Sequence, residues 1–405
     1  MRNGNLPPQL FGSGPAHAKI SIATASTDSA FNYTPNYGLT SAHDSGRKNT
    51  ARVDKDGSNG LQVFTETIGQ LLLSINVMPP QPSVPSTRRY NIEIIKVPSA
   101  TKGWNLDVSK YLPSGASSSK PVPVIVMAHG LASIKGMGLS VYADKFASLG
   151  YACLVFDYRC WGASDGTPRH VVSTAMQHED YRTVVKWARQ QAEFDPNRLI
   201  LWGTSYSGGH VVSISGEVRM NPCATIAQCP YLGVTSAARP EINMVFAQLL
   251  LFAIVDAVRQ FLGWSPLYIP AAGSPGTPAI MVGEKYVEQI KELEVEPGCW
   301  PNEISANALF DLTAYHPASI MMKSRTPTPL LIVAPVDDAL CHIDKAREVV
   351  KAADLGEIEE IEGATHFEVY PKKPFFDRSL AAQVEFLKKH VPVSAAAAEY
   401  TRLSW

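Results

Sequence analysis

Residues 199–212 read LILWGTSYSGGHVV, an apolar run that ends abruptly in glycine and serine. The segment GTSYS at 203–207 fits the nucleophile elbow G-x-S-x-G, except that a serine replaces the last glycine. The serine of such a turn has a strained backbone, so the residues two before and two after it must be small. Ser207 is small enough to meet this requirement. Ser205 is therefore the candidate nucleophile.

A serine hydroxyl is a weak nucleophile unless a base takes its proton and an acid orients the base. In elbow-containing sheets the acid and then the histidine follow later strands. Asp337 and Asp338 follow the apolar run PLLIVAP, and His366 follows EIEEIEG. His366 is the candidate base. The acid is Asp338 or Asp337; the usual distance to the next helix favours Asp338, and Asp337 alternatively caps the loop.

The tetrahedral intermediate of acyl transfer needs hydrogen-bond donors for its oxyanion. One is expected from the backbone N–H that follows the nucleophile, which belongs to Tyr206. The other is expected from the loop after the third strand, which reads AHGL at 128–131. The sequence thus predicts an oxyanion hole formed by the backbone of Leu131 and Tyr206. His129 is interpreted as a residue that shapes this loop, not as a base.

Short apolar runs alternate with helical patterns along the chain and must position these residues. This alternation predicts an α/β fold with a mostly parallel, eight-stranded sheet and helices on both faces. The predicted strands are 90–97, 104–112, 122–128, 151–157, 198–203, 224–229, 329–335 and 357–363.

The interval 231–328 lacks a clear strand of this sheet and is predicted to be a helical cap or lid inserted into the core. We expect its apolar segment 241–264 to form a buried helix. Its apolar residues either bury the cap against the core or line an acyl-binding site over Ser205, and the two interpretations are compatible. The longest apolar stretch of the chain, 244–255, lies within this segment and is too short to span a membrane. The remaining predicted units are a flexible N-terminal extension at 1–88 with one docking helix at 61–77, a core at 89–230 and 329–392, and a tail at 393–405.

Composition excludes several classes of function. The formal net charge of −1 provides no attraction to nucleic acid or to an anionic membrane. The six cysteines form no CxxC pair, and phosphate-binding glycine patterns are absent, so we expect neither a metal nor a cofactor. The N-terminus lacks the apolar core of a signal peptide, and the chain ends in RLSW and not in SKL, so we expect a cytoplasmic protein.

The chain resembles the α/β-hydrolase superfamily in two stretches, AHGLASIKGMGLSVYADKFASLGYACLVFDYRCWGASDGTPR at 128–169 and DYRTVVKWARQQAEFDPNRLILWGTSYSGGHVV at 180–212. More narrowly, it is similar to the fungal polyketide transferase and thiohydrolase family, which itself resembles the core of Xaa-Pro dipeptidyl-peptidases. The resemblance implies an α/β-hydrolase fold and places the catalytic serine, acid and histidine on Ser205, Asp338 and His366. It also implies acyl chemistry, often on thioesters held by a polyketide synthase carrier domain.

The sequence therefore favours a serine acyl enzyme that hydrolyses or transfers a lipophilic acyl or polyketide group from a small-molecule ester or thioester. Alternatives are a carboxylesterase, an Xaa-Pro-type peptidase, or a binding protein on a hydrolase fold. An epoxide or haloalkane hydrolase is excluded because it needs an aspartate where Ser205 stands. The sequence leaves open the acyl group, its acceptor, the choice between hydrolysis and transfer, and the oligomeric state.

Overall fold

Eight strands pair into one sheet in a computed structural model that describes residues 88–233, 244–324 and 328–393. Their order across the sheet is β1-β2-β4-β3-β5-β6-β7-β8. Strand β2 is antiparallel to both of its neighbours, and all other pairs are parallel. The predicted mostly parallel sheet is therefore confirmed. The strands are Tyr90–Pro98 (β1), Asn105–Pro113 (β2), Val122–Ala128 (β3), Ala152–Phe156 (β4), Phe194–Thr204 (β5), Ala224–Gln228 (β6), Leu330–Pro335 (β7) and Gly356–Ile361 (β8).

Four strands of the sheet are buried along their whole length. Every residue of β3, β4, β6 and β7 is buried, which explains why these strands appear in the sequence as continuous apolar runs. Strands β5, β7 and β8 all run in the same direction, so their carboxyl ends lie at one edge of the sheet. The loops that carry Ser205, Asp338 and His366 follow these three strands and meet at that edge.

Helices cover both faces of the sheet, as the alternating pattern predicts. On one face, Trp202 in β5 packs its ring 5.2 Å from that of Tyr142 and donates a hydrogen bond to Gln383. The next residue, Gly203, faces the other side, where an added Cβ would lie 2.3 Å from the Ser207 carbonyl oxygen. The helices are Leu139–Ser148 (α1), Thr174–Ala188 (α2), Tyr206–Ile214 (α3), Met244–Phe261 (α4), Tyr286–Lys291 (α5), Ala308–Ala314 (α6), Pro317–Ser324 (α7), Ile343–Ala352 (α8) and Phe376–His390 (α9), with a 3₁₀ turn at His366–Val369.

The interval predicted to be a cap, 231–328, contains helices α4 to α7 and no strand of the main sheet among its described residues. Two very short pairs of strands connect its loops. They join Tyr268–Ile269 to Ile304–Ser305 and Ala272–Gly273 to Met281–Val282. The predicted extension with its helix at 61–77, and the tail beyond 393, lie outside the described residues. The proposed domain boundaries stay a prediction.

Helix α4 is largely exposed, and the expectation of a buried helix was wrong. Of its 18 residues, only Leu249, Ala253 and Asp256 are buried. The side chains of Val258 and Phe261, by contrast, are 52% and 89% exposed. The helix is also longer than the apolar run seen in the sequence, and by length and composition alone it suffices to cross a membrane. One helix of this kind does not establish a membrane span, and the expected absence of a span stays a prediction.

Asp256 anchors this exposed helix to the rest of the interval. It is fully buried, and its carboxylate accepts hydrogen bonds from the backbone N–H groups of Leu267 at 2.7 Å and Asn307 at 2.9 Å. The side chain of Gln260 donates a third hydrogen bond at 3.0 Å. Asp256, the one buried charged residue of α4, therefore attaches the helix to the rest of the interval. Most of the apolar surface of the helix is exposed and contributes little to that attachment.

This arrangement predicts that Asp256→Ala lowers the free energy of unfolding by about 2 to 4 kcal/mol, because it leaves two buried N–H groups without partners. The matched change Val258→Lys on the exposed face should alter it by no more than about 0.5 kcal/mol. Urea denaturation of the two variants measures the difference. Equal losses of stability in both variants would contradict the role assigned to Asp256.

Candidate active site

Ser205 occupies a sharp turn between the end of β5 and the start of α3. Its backbone has φ 55° and ψ −119°, a strained conformation for a residue other than glycine that costs about 1 to 3 kcal/mol. Hydrogen bonds hold the turn on both sides: the Ser205 N–H donates to the Gln228 carbonyl at 2.9 Å, and the Tyr231 N–H donates to the Ser205 carbonyl at 2.8 Å. The backbone of the predicted nucleophile elbow is therefore present.

The departure of the motif from glycine at position 207 has a structural explanation. Ser207 is fully buried, and its hydroxyl accepts a hydrogen bond from the Tyr158 hydroxyl at 3.0 Å. Tyr181 donates its own hydroxyl proton to the Trp202 carbonyl, so the Ser207 hydroxyl donates to Tyr181 at 2.7 Å. The extra hydroxyl thus fixes the first turn of α3 to two tyrosines, whereas glycine would leave both without this partner.

The structure brings Ser205, His366 and Asp338 together in one chain of hydrogen bonds. The Ser205 Oγ lies 3.1 Å from His366 Nε2, and His366 Nδ1 lies 2.6 Å from Asp338 Oδ2. The other carboxylate oxygen of Asp338 accepts the backbone N–H groups of Leu340 and Cys341, each at 2.8 Å. These contacts orient the carboxylate toward the imidazole. The geometry is that of a nucleophile, a base and an acid.

The neighbouring aspartate does not contact the histidine. Asp337 is exposed, and its backbone N–H donates to the Ala364 carbonyl at 3.0 Å. This bond joins the loop after β7 to the loop after β8. Of the two acids that the sequence left open, Asp338 is the one whose carboxylate meets His366, and Asp337 instead contributes its backbone to the positioning of the two loops.

The environment of His366 favours its protonated form. Burial is the largest single influence and lowers the pKa of the His366 imidazole, but the Asp338 carboxylate and the neighbouring Cys229 and Cys341 together raise it by more, so the pKa lies well above its ordinary value. The side chain is only 2% exposed, so solvent does little to screen this pair. An imidazolium formed when His366 takes a proton from Ser205 is therefore stabilised in place.

The predicted oxyanion donors lie beside Ser205. Leu131 and Tyr206 line the same cavity as the serine, and Tyr206 is the first residue of α3, where N–H groups have no partner within the helix. The loop before Leu131 passes very close, since a Cβ added at Gly130 would lie 3.0 Å from the Ser205 Cβ. Glycine is required at this point for the loop to approach the nucleophile.

His129 takes no part in the hydrogen bonds around Ser205. Its Nδ1 is 3.0 Å from the Gly130 carbonyl oxygen, to which it donates, and its Nε2 is 3.7 Å from Asp157 Oδ1. Burial lowers the pKa of His129, which keeps the ring neutral. The position agrees with the interpretation that His129 shapes the loop.

A cavity of about 480 Å³ opens onto Ser205. Helix α4 contributes Val245, Phe246 and Leu249, so part of the predicted segment 241–264 does line it. Most of the other walls were not predicted, because they come from an irregular loop and a short helix. No Asp, Glu, Lys, Arg or His lines this cavity among the described residues, and the remaining walls are Pro275, Gly276, Thr277, Ala279, Ile280, Met281, Val282, Leu309, Leu312, Thr313, Leu340 and Cys341, with Tyr231 near the nucleophile.

Two further side chains near His366 were not predicted. The Cys229 Sγ lies 4.0 Å from His366 Nε2 and 3.5 Å from the Tyr370 hydroxyl. Tyr370 in turn bonds the Thr204 hydroxyl at 2.6 Å. Their residue types give no signal in the sequence. Their positions in the chain are the only indication that they lie near the site: Cys229 directly follows β6, and Tyr370 lies one turn after His366.

One group of side chains has donor atoms within 4.8 Å of one another, as a metal ion would require. It consists of Asp338, Cys341 and His366, two of which already share a hydrogen bond. An ion at this point would compete with the contact between the histidine and the acid. The expected absence of a metal stays a prediction.

Known proteins with related sequences have names that refer to different activities. The chain is 32% identical to the quorum-quenching protein AidA of Acinetobacter baumannii (strain MDR-ZJ06), over 67% of this chain and 88% of the relative. It is 29% identical to the thiohydrolase apmlB of Arthrinium phaeospermum, over 66% and 89% of the two chains. The resemblance to the fungal thiohydrolase group is thereby confirmed.

The fold also matches solved structures. The α/β hydrolase GrgF from Penicillium sp. sh18 superposes with a TM-score of 0.61 at 22% identity, covering 74% of this chain and 99% of that chain. At this identity the likeness concerns the fold. The sequence profile of the family described as serine aminopeptidase, S33, matches residues 119–368, more than half of the chain, and the protein therefore belongs to this family of α/β-hydrolases.

Proposed function

We propose that this protein cleaves neutral, lipophilic acyl esters or thioesters through a covalent acyl-enzyme on Ser205. One observation carries the proposal: an unbroken chain of hydrogen bonds from Ser205 through His366 to Asp338 stands at the wall of an apolar cavity of about 480 Å³. A buried histidine that is oriented by an acid on one side and bonded to a serine on the other is the arrangement that activates a hydroxyl for acyl transfer.

In the proposed acylation step, the Ser205 Oγ bonds to the carbonyl carbon while His366 Nε2 takes the hydroxyl proton. Asp338 stabilises the imidazolium, and the N–H groups of Leu131 and Tyr206 donate to the oxyanion. The intermediate collapses when the carbon–sulfur or carbon–oxygen bond breaks and His366 returns the proton to the leaving thiol or alcohol. The acyl group then passes from Ser205 to water or to an alcohol by the same steps in reverse.

The walls of the cavity support the substrate class. A carboxylate or an ammonium group placed there would lose its hydration without gaining a charged partner, which is unfavourable by several kcal/mol. A neutral hydrocarbon or polyketide chain has no such cost. The thiohydrolase relative supports a thioester as the reacting bond. Following the family resemblance, we extend the proposal to thioesters presented by a polyketide synthase carrier domain.

The structure argues against two of the three alternative functions, the peptidase and the binding protein. A peptidase that recognises a free α-ammonium group needs a carboxylate in its binding site, and none lines this cavity among the described residues. A protein that only binds a ligand has no need for a strained serine bonded to an acid-oriented histidine. A second candidate activity comes from the relative named as quorum-quenching, and it is the degradation of a small acyl-bearing signal molecule at the same site.

Replacement of the nucleophile tests the proposal directly. Ser205→Ala should lower kcat on p-nitrophenyl hexanoate by about 10⁴-fold or more, because the remaining groups have no hydroxyl to activate. A fluorophosphonate probe should add one adduct to the wild type and none to this variant, as measured by intact mass. The exposed Ser274→Ala is the matched control and should label and turn over like the wild type. Equal labelling of the wild type and Ser205→Ala would place the reactive group elsewhere.

The pH dependence tests the pairing of His366 with Asp338. His366 accepts a proton only when it is neutral, so kcat/KM should fall as the pH falls through its raised pKa, at a pH above the ordinary value of about 6.5. Asp338→Asn removes the charge that raises this pKa. We therefore expect the acidic limb to move to lower pH and kcat to fall by about 10⁴-fold.

Asp337→Asn is the control for this measurement, because Asp337 contacts the neighbouring loop through its backbone alone. Its pH profile and kcat should match those of the wild type. A shift of the acidic limb in Asp337→Asn, or an unchanged limb in Asp338→Asn, would reverse the assignment of the acid.

A further inference from the structure

Two cavities of very different size meet at Ser205. Besides the large apolar cavity, a cavity of about 30 Å³ lies on the other side of the serine and reaches His366. Only Leu131, Ser205 and Met281 line both cavities among the described residues. Ser205 is the proposed nucleophile, so Leu131 and Met281 are the two other residues at the boundary of the cavities. The reaction centre is thus divided into two chambers.

The small chamber has the size and chemistry to hold water. A cavity needs a volume of about 10 to 15 Å³ open to the centre of a water molecule in order to hold one water. A volume of about 30 Å³ therefore accommodates one or two water molecules. Its walls carry polar groups from Ser133, Thr204, Ser205 and His366, which can bond such a molecule. A chamber of this size has no room for a long-chain alcohol.

Met281 occupies the partition in a defined way. Its backbone is held by pairing with Ala272, and its N–H donates to the Ala271 carbonyl at 2.9 Å. The residue lines both chambers, so its unbranched side chain lies where they meet. The next residue, Val282, points the other way along the strand and lines only the large cavity. Met281 therefore lines both chambers, whereas its neighbour Val282 lines only the large cavity.

We infer that Met281 restricts the acceptor of the acyl group to water, which makes the protein a hydrolase and not a transferase. The inference rests on the proposed function. Once the acyl chain fills the large cavity, the small chamber is the space left beside His366 in the described structure. A water there loses its proton to His366 Nε2 as its oxygen bonds to the acyl carbon. The bond from that carbon to Ser205 Oγ then breaks, His366 returns the proton to Oγ, and a carboxylic acid leaves.

The test measures how the acyl-enzyme partitions between water and alcohols. Wild type, Met281→Ala, Met281→Leu and Val282→Ala are given p-nitrophenyl hexanoate with methanol or 1-butanol, and hexanoic acid and hexanoate ester are quantified by gas chromatography. In the wild type, the ratio of ester to acid should be about tenfold lower with 1-butanol than with methanol, because the small chamber excludes the longer alcohol. Met281→Ala should raise the 1-butanol ratio about tenfold.

Two variants control for general loosening of the site. Met281→Leu keeps the volume of the side chain and should partition like the wild type. Val282→Ala enlarges only the large cavity and should also leave the ratio unchanged. Equal ratios for methanol and 1-butanol in the wild type, or equal shifts in Met281→Ala and Val282→Ala, would overturn the inference while leaving a normal burst of p-nitrophenol. Absence of that burst in the wild type would overturn the proposed function, and this inference with it.

Discussion

The strained backbone of Ser205 is the constraint on which the rest of the site depends. A residue with a side chain at φ 55° is unfavourable by itself, and it persists only where the surroundings overdetermine it. Here the Gln228 carbonyl and the Tyr231 N–H hold the residue from the neighbouring strand and loop, and the Gly209 N–H donates to the Ser205 carbonyl from within α3. Hydrogen bonds from the sheet, the loop and the helix therefore offset the strain of the turn. As a result, the Ser205 hydroxyl points toward His366.

A buried polar network extends this constraint to the far helix. The side-chain oxygen of Gln228 accepts hydrogen bonds from Ser379 and Gln383, and Gln383 also accepts from Trp202 in β5. The same Gln228 holds the Ser205 N–H through its backbone carbonyl. All of these side chains are fully buried, where each satisfied hydrogen bond is strong and a missing one is costly. Helix α9, which shares no residue with the reaction centre, thereby fixes the strand that ends in the nucleophile.

The sequence allowed the sheet to be predicted, and it placed Ser205, Asp338 and His366 at one edge of that sheet, because both depend on local patterns. Buried parallel strands appear as apolar runs, and parallel direction places the ends of β5, β7 and β8 at one edge whatever lies between them. The choice of Asp338 over Asp337 needed the fold, since adjacent residues differ only in which one faces His366. The role of Ser207 also needed it, because Tyr158 and Tyr181 come from distant parts of the chain.

The burial of helix α4 and the walls of the cap cavity could not be predicted from the sequence, for a different physical reason. Protein interiors are enriched in apolar residues, but an apolar residue is not necessarily in the interior. Helix α4 keeps most of its apolar surface exposed, and its one buried carboxylate holds it in place. Many walls of the large cavity come from the segment 275–282, which has no helical or strand periodicity in its sequence. In the proposed function, the core supplies the groups that break the bond, whereas the cap selects by desolvation what can enter. For the proposed reaction, bond cleavage can therefore be predicted from sequence motifs, whereas substrate selection cannot. A charged acyl group is rejected because the cavity offers it no charged partner, and no sequence motif corresponds to such an absence.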